Sequence, residues 1–215
     1  MKLHMHCLTK LAFGALLALC SFTVFASSKK WEFQVFLDDT AIGHHHFVVN
    51  DKGSERELTT DARFDVKLLF ISAYRYVHDA SERWRGNCLA SLNARTDDNG
   101  KKSAVQADQQ GERVSVSSPR GREALDGCVM SFAYWNPEIL RQTRLLNSQT
   151  GQYEAVTIAA MGEERITVRG APVQAKRYRI TGPKNPIDLW YGADNGWLAL
   201  QSTLDGGRRL HYLLK

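Results

Sequence analysis

The chain has 215 residues, 43% hydrophobic and 24% charged, with a formal net charge of +5. That length suits one domain with a developed core. Basic residues alternate with acids, as in Glu82-Arg83-Trp84-Arg85 and Glu163-Glu164-Arg165, so a solvated mixed surface is expected rather than a nucleic-acid partner.

Residues 1–26 read as a secretory signal peptide. Lys2 and Lys10 supply a basic start, Leu11 to Phe25 an uncharged apolar run, and Val24-Phe25-Ala26 a cleavage site. The run is shorter than the about 20 residues a membrane anchor needs. Leu19 before Cys20 does not fit lipid attachment. Export is expected to deliver a periplasmic domain over 27–215, with no stable membrane span and a charge of +3 once Lys2 and Lys10 are removed.

The remaining sequence reads as strands joined by turns. Trp31, Phe33, Val35 and Leu37 recur with period two. Asp38-Asp39 then turns the chain into a strand over Ile42 to Asn50, and Asp51-Lys52-Gly53-Ser54 turns it into another over Leu58 to Leu69. Further turn signals stand at Asp97-Asp98-Asn99-Gly100, Gln110-Gly111 and Asp205-Gly206-Gly207. Strands are predicted over Val173 to Thr181, Ile187 to Tyr191, Trp197 to Leu204 and Arg209 to Leu214. The fold class is therefore mainly β: a curled antiparallel meander, as a half-barrel or a closed barrel. One short helix is predicted after the Cys128 segment, with Asn136 as N-cap, Pro137 in its first turn, and Ile139, Leu140, Thr143 and Leu146 on one face. An outer-membrane barrel is disfavoured by the polar stretch Ala107 to Ser118 and by the Leu213-Leu214-Lys215 end.

Cys88 and Cys128 are an even pair in an oxidising compartment, so a disulfide is expected. Tyr74 to Trp84 is the most unusual strand. Kept extended, it sends Tyr74, Tyr76, His78, Glu82 and Trp84 to one face. That face would line a pocket with apolar walls and a polar end at His78 and Glu82, with Trp135 and Trp190 adding aromatic surface; a hydrogen-bonded polar cluster inside a barrel is the plainer meaning. His78 and Glu82 are also the weak candidates for acid–base catalysis, with His45 as an added metal ligand. In His44-His45-His46 the first and third share a face. Such a pair binds zinc or copper when a third ligand converges, here from His78, Glu82 or His211. Surface or structural histidines remain the expectation, and no metal or cofactor is assigned. No nucleophile elbow, zincin helix, Walker loop or dinucleotide fingerprint is present.

The ordered set Ile42-Gly43-x-His45-x-Phe47, Tyr74-Arg75-Tyr76-x-His78, Glu82-x-Trp84, Thr96-Asp97-x-Asn99-Gly100 and Leu189-Trp190-Tyr191 resembles an uncharacterised family of exported Gram-negative bacterial proteins, known as a domain of unknown function. The resemblance implies a curved antiparallel sheet and periplasmic residence, and no activity. Lipoprotein-carrier-like half-barrels share the architecture by analogy, which carries no function. The first functional expectation is non-enzymatic binding of an apolar or amphipathic ligand, such as a lipid, against Tyr74, Tyr76, His78, Trp84, Trp135 and Trp190. The alternatives are a hydrolase-like or metal-dependent enzyme using His78, Glu82 and His45, and an envelope scaffold that binds a protein through its sheet edges.

Overall fold

A computed structural model describes residues 27–68 and 71–215. The signal-peptide segment, residues 1–26, lies outside the described residues, as does Leu69 at the predicted end of the third strand. Eight strands follow one another as an antiparallel meander: β1 (Ser28–Leu37), β2 (Thr40–Asp51), β3 (Glu55–Leu68), β4 (Ile71–Arg85), β5 (Cys88–Asp98), β6 (Lys101–Gln110), β7 (Arg113–Ser118) and β8 (Gly121–Asp126). A two-stranded ribbon, β9 (Arg144–Leu146) and β10 (Tyr153–Ala155), precedes a second meander of β11 (Thr157–Val168), β12 (Ala171–Thr181), β13 (Ile187–Tyr191), β14 (Trp197–Thr203) and β15 (Arg209–Leu214).

Pairing of β15 with β1 joins the two meanders into one 13-stranded sheet running from β11 at one edge to β8 at the other. The sheet does not close among the described residues, so the predicted antiparallel meander stands and the closed barrel does not. Turn chemistry sets its hairpins. Asn99-Gly100 between β5 and β6 adopts positive φ at both residues, as a two-residue turn of matching twist requires. Gly43 has a different reason to be glycine: a Cβ there would lie 1.8 Å from the Arg63 carbonyl oxygen of β3. The edges differ in kind. β8 is only six residues long, and β11 is long but carries Glu163, Glu164 and Arg165, charges that disfavour strand addition.

The chain must travel from the β8 edge to the β11 edge, and residues 127–156 do so as a strap across the sheet's inner face. The Cys88–Cys128 disulfide fixes its start, as predicted. Leu89 N–H donates to the Val129 carbonyl at 2.8 Å, and the Tyr191 hydroxyl to the Tyr134 carbonyl at 2.8 Å. Val129, Met130, Ile139, Leu145 and Leu146 on the strap are buried with Phe33, Trp84, Leu89, Leu189 and Trp197 of the sheet in one core. The core is therefore a sandwich of sheet and strap.

The predicted helix is corrected here. Asn136 does cap a turn, accepting from the Glu138 N–H at 3.2 Å, but the turn is a 3-10 helix of five residues, Pro137–Arg141. Arg144–Leu146 is instead strand β9, paired with Tyr153–Ala155. So short a helix is marginal without long packing contacts. Backbone bonds hold the extended form instead: Leu146 N–H donates to the Met130 carbonyl at 2.8 Å, and its own carbonyl accepts from the Phe132 N–H at 3.3 Å.

Candidate functional site

Strand β4 is uninterrupted from Tyr74 to Trp84, and its exposure alternates residue by residue. Tyr76, His78, Ala80, Glu82 and Trp84 are buried under the strap, while Arg75, Asp79, Ser81 and Arg83 are exposed. The nearby irregularities leave the segment intact. Between Arg83 and Trp84 the register shift inserts Ala90 on β5, and between Val66 and Lys67 it inserts Ala73, just before Tyr74. The predicted inward face therefore exists.

Over part of that face, sheet and strap flank a half-open cavity of about 160 Å³. Phe47, Leu58 and Trp135 contribute its apolar walls, and His45, His78, Glu82 and Ser131 its polar ones. Each histidine is bonded on both ring nitrogens. His45 reaches the Thr60 hydroxyl at 2.8 Å and the Tyr212 hydroxyl at 3.3 Å. His78 reaches the Thr96 hydroxyl at 2.9 Å and the Ser148 hydroxyl at 3.5 Å. Burial lowers the pKa of both, that of His78 to about 4, which keeps both imidazoles neutral near neutrality.

Glu82 is the ionisable group that stands out. The Trp84 indole N–H donates to its Oε2 at 2.8 Å and the Ser131 hydroxyl to the same oxygen at 3.2 Å. Burial nevertheless outweighs those two bonds and pushes its pKa up to about 7. Trp135 stands edge-on to Trp84, with ring centroids 5.5 Å apart, and its indole N–H has no hydrogen-bond partner among the described residues.

The structure brings some predicted residues together and separates others. His78, Glu82, Trp135 and His45 line the cavity. Tyr76 and Trp84 share the inward face without lining it, and Tyr74 is half-buried, its hydroxyl donating to Asp98 at 2.7 Å. Trp190 does not join them. It shares the outer face of β13 with Asp188, and its indole N–H donates to Glu164 at 2.6 Å. His78 and Glu82 are not hydrogen-bonded to each other; four residues of extended strand separate them, about 13 Å along the backbone. Ser131 and Ser148 come from the strap, and nothing in the sequence pointed to them.

The histidine run divides as its alternation predicts, His45 inward and His44 with His46 outward. The third group beside the outward pair is none of those expected. His78, Glu82 and His45 are inside, and His211 stacks on Phe36 with ring centroids 5.2 Å apart. It is Asp61 of β3 that joins His44 and His46.

A family model described as a domain of unknown function, DUF6134, matches residues 33–215. No curated protein matches the sequence. Among solved structures, a beta-barrel-like protein of a different domain of unknown function, DUF1849, from Brucella abortus is similar in fold. The TM-score is 0.64 at 10% identity, over 86% of this chain and 94% of that one. No helix among the described residues is long and apolar enough to cross a membrane.

Proposed function

Because the chain belongs to the domain-of-unknown-function family DUF6134, which prescribes no activity, we propose that it is a periplasmic, non-enzymatic binding protein. Its ligand is a small amphipathic molecule held between sheet and strap. The observation that carries this reading is the cavity bounded by His45, His78, Glu82 and Trp135. Its volume of about 160 Å³ is below the roughly 300 Å³ of the smallest usual ligand pockets. It therefore suits one acyl tail or a small ring rather than a whole lipid, unless the strap shifts.

Chemistry narrows the ligand's polar end. Both histidines are already bonded on both nitrogens, and the protein's bonds to Glu82 fall on Oε2, leaving Oε1 to accept from a ligand. No lysine or arginine is among the described residues that line the cavity. A hydroxyl or amine head fits this site, and above about pH 7, where Glu82 is ionised, a carboxylate or phosphate head is repelled.

Titration with octylamine, 1-octanol and octanoate, followed by tryptophan fluorescence, tests the reading. Octylamine and octanol are expected to bind saturably and octanoate not at all. Ser148→Trp, which places an indole at the strap side of the cavity, is expected to abolish binding while the far-ultraviolet dichroism stays that of the parent. Native mass spectrometry of protein recovered from cell envelopes gives the second readout. Absence of both saturable binding and any co-purified small molecule would overturn the reading.

A further inference from the structure

We propose that His44, His46 and Asp61 form a site for one divalent transition-metal ion of the zinc or copper class, on the outer face of the sheet. Strand alternation points His44 and His46 out together, and pairing of β2 with β3 sets Asp61 directly opposite His46 and one diagonal step from His44. The two imidazoles stack with centroids 4.4 Å apart and planes 18° apart. His44 Nε2 lies 3.2 Å from Asp61 Oδ2, and His46 Nδ1 lies 3.3 Å from Asp61 Oδ1. One ligand atom from each residue falls within 4.8 Å of the others.

Those spacings suit an ion. Tetrahedral zinc with bonds of about 2.0–2.1 Å holds its ligand atoms about 3.3 Å apart. Each nitrogen lies at that length from one Asp61 oxygen, His44 from Oδ2 and His46 from Oδ1, so a shared ion requires the carboxylate to turn and the imidazoles to draw together. All three side chains are between one third and two fifths exposed, so they adjust without moving the core. Two imidazoles with one carboxylate select zinc or copper over calcium or magnesium, which prefer oxygen ligands alone.

The surroundings leave the site available. Arg63, the nearest cation along β3, is paired with Asp79 at 2.6 Å rather than with Asp61. Glu32 of β1 is exposed and directly opposite His46 on its other side, which adds a second carboxylate on the strand beside the site. The site is independent of the inner cavity, since the sheet lies between them.

Isothermal titration of the untagged protein with zinc chloride, and electron paramagnetic resonance with one equivalent of copper(II), test the assignment. One ion is expected to bind saturably, with nitrogen hyperfine structure from two imidazoles in the copper spectrum. The His44→Ala/His46→Ala double variant and Asp61→Asn should each lower affinity about tenfold or more, while His211→Asn leaves it unchanged. No saturable binding, or binding that survives the double variant, would show that Asp61 merely bridges two surface histidines. Because these side chains lie outside the core, circular dichroism of each variant should match the parent, so lost binding is not lost folding.

Discussion

Replacing Cys88 and Cys128 together by serine is expected to lower the unfolding free energy by about 4 kcal/mol. The bond closes a loop of 40 residues, and chain entropy alone assigns a cross-link of that span this magnitude. For a domain of this size the loss corresponds to roughly 10 °C in melting temperature. The native state should change little. Once the bond is gone the strap is still held to the sheet by the Leu89–Val129 backbone bond and by the bond from the Tyr191 hydroxyl to the Tyr134 carbonyl, both 2.8 Å, and by burial of Val129 and Met130. Urea unfolding of the parent and the double variant, with far-ultraviolet dichroism of both in buffer, checks the two halves. A loss under 1 kcal/mol would mean that the unfolded chain is already constrained near these residues. A changed native spectrum would mean that the bond shapes the strap rather than the denatured ensemble.

What the sequence made legible was local. Period-two alternation identified β4 and its inward face because Tyr76, His78, Glu82 and Trp84 each sit opposite a polar or charged neighbour of the other parity. Asn99-Gly100 and the cysteine pair were readable for similar reasons, since a two-residue turn and a disulfide declare themselves by composition. Pairings between distant strands were not. Asp61 stands 15 residues from His46, and only the β2–β3 register makes them neighbours. Nor does alternation say which parity faces inward where residues of both parities are apolar. In Leu189-Trp190-Tyr191 every residue is buried, and the clue to the outward position of Trp190 was Asp188, two residues earlier. Its carboxylate holds Arg177 at 2.7 Å and Arg179 at 2.8 Å, and a doubly paired aspartate marks the outer side. The helix failed because Ile139, Leu140 and Leu146, with Thr143, describe at helical spacing a strap lying on a core as well as they describe a helix.

Glu82→Gln is expected to be nearly neutral below about pH 4.5 and stabilising by about 3 kcal/mol above about pH 7. The unfolded carboxyl releases its proton near 4.5, whereas the folded one holds it up to about 7. Between those values folding takes up a proton, so this group's contribution to stability falls by about 1.4 kcal/mol per pH unit as pH rises. Glutamine keeps an acceptor for the Trp84 and Ser131 donors and has no charge to bury. His45 and His78 act in the opposite sense. Burial lowers their pKa, that of His78 from 6.5 to about 4, so their contributions are present above the unfolded value and are lost as pH falls through the folded one. Because both variants of position 82 carry the same histidines, the difference between parent and Glu82→Gln isolates the carboxyl. Denaturant unfolding of the pair across this range should give a difference that grows with pH and then levels off. A difference independent of pH would show that the folded carboxyl releases its proton where the unfolded one does, so that burial does not raise its pKa.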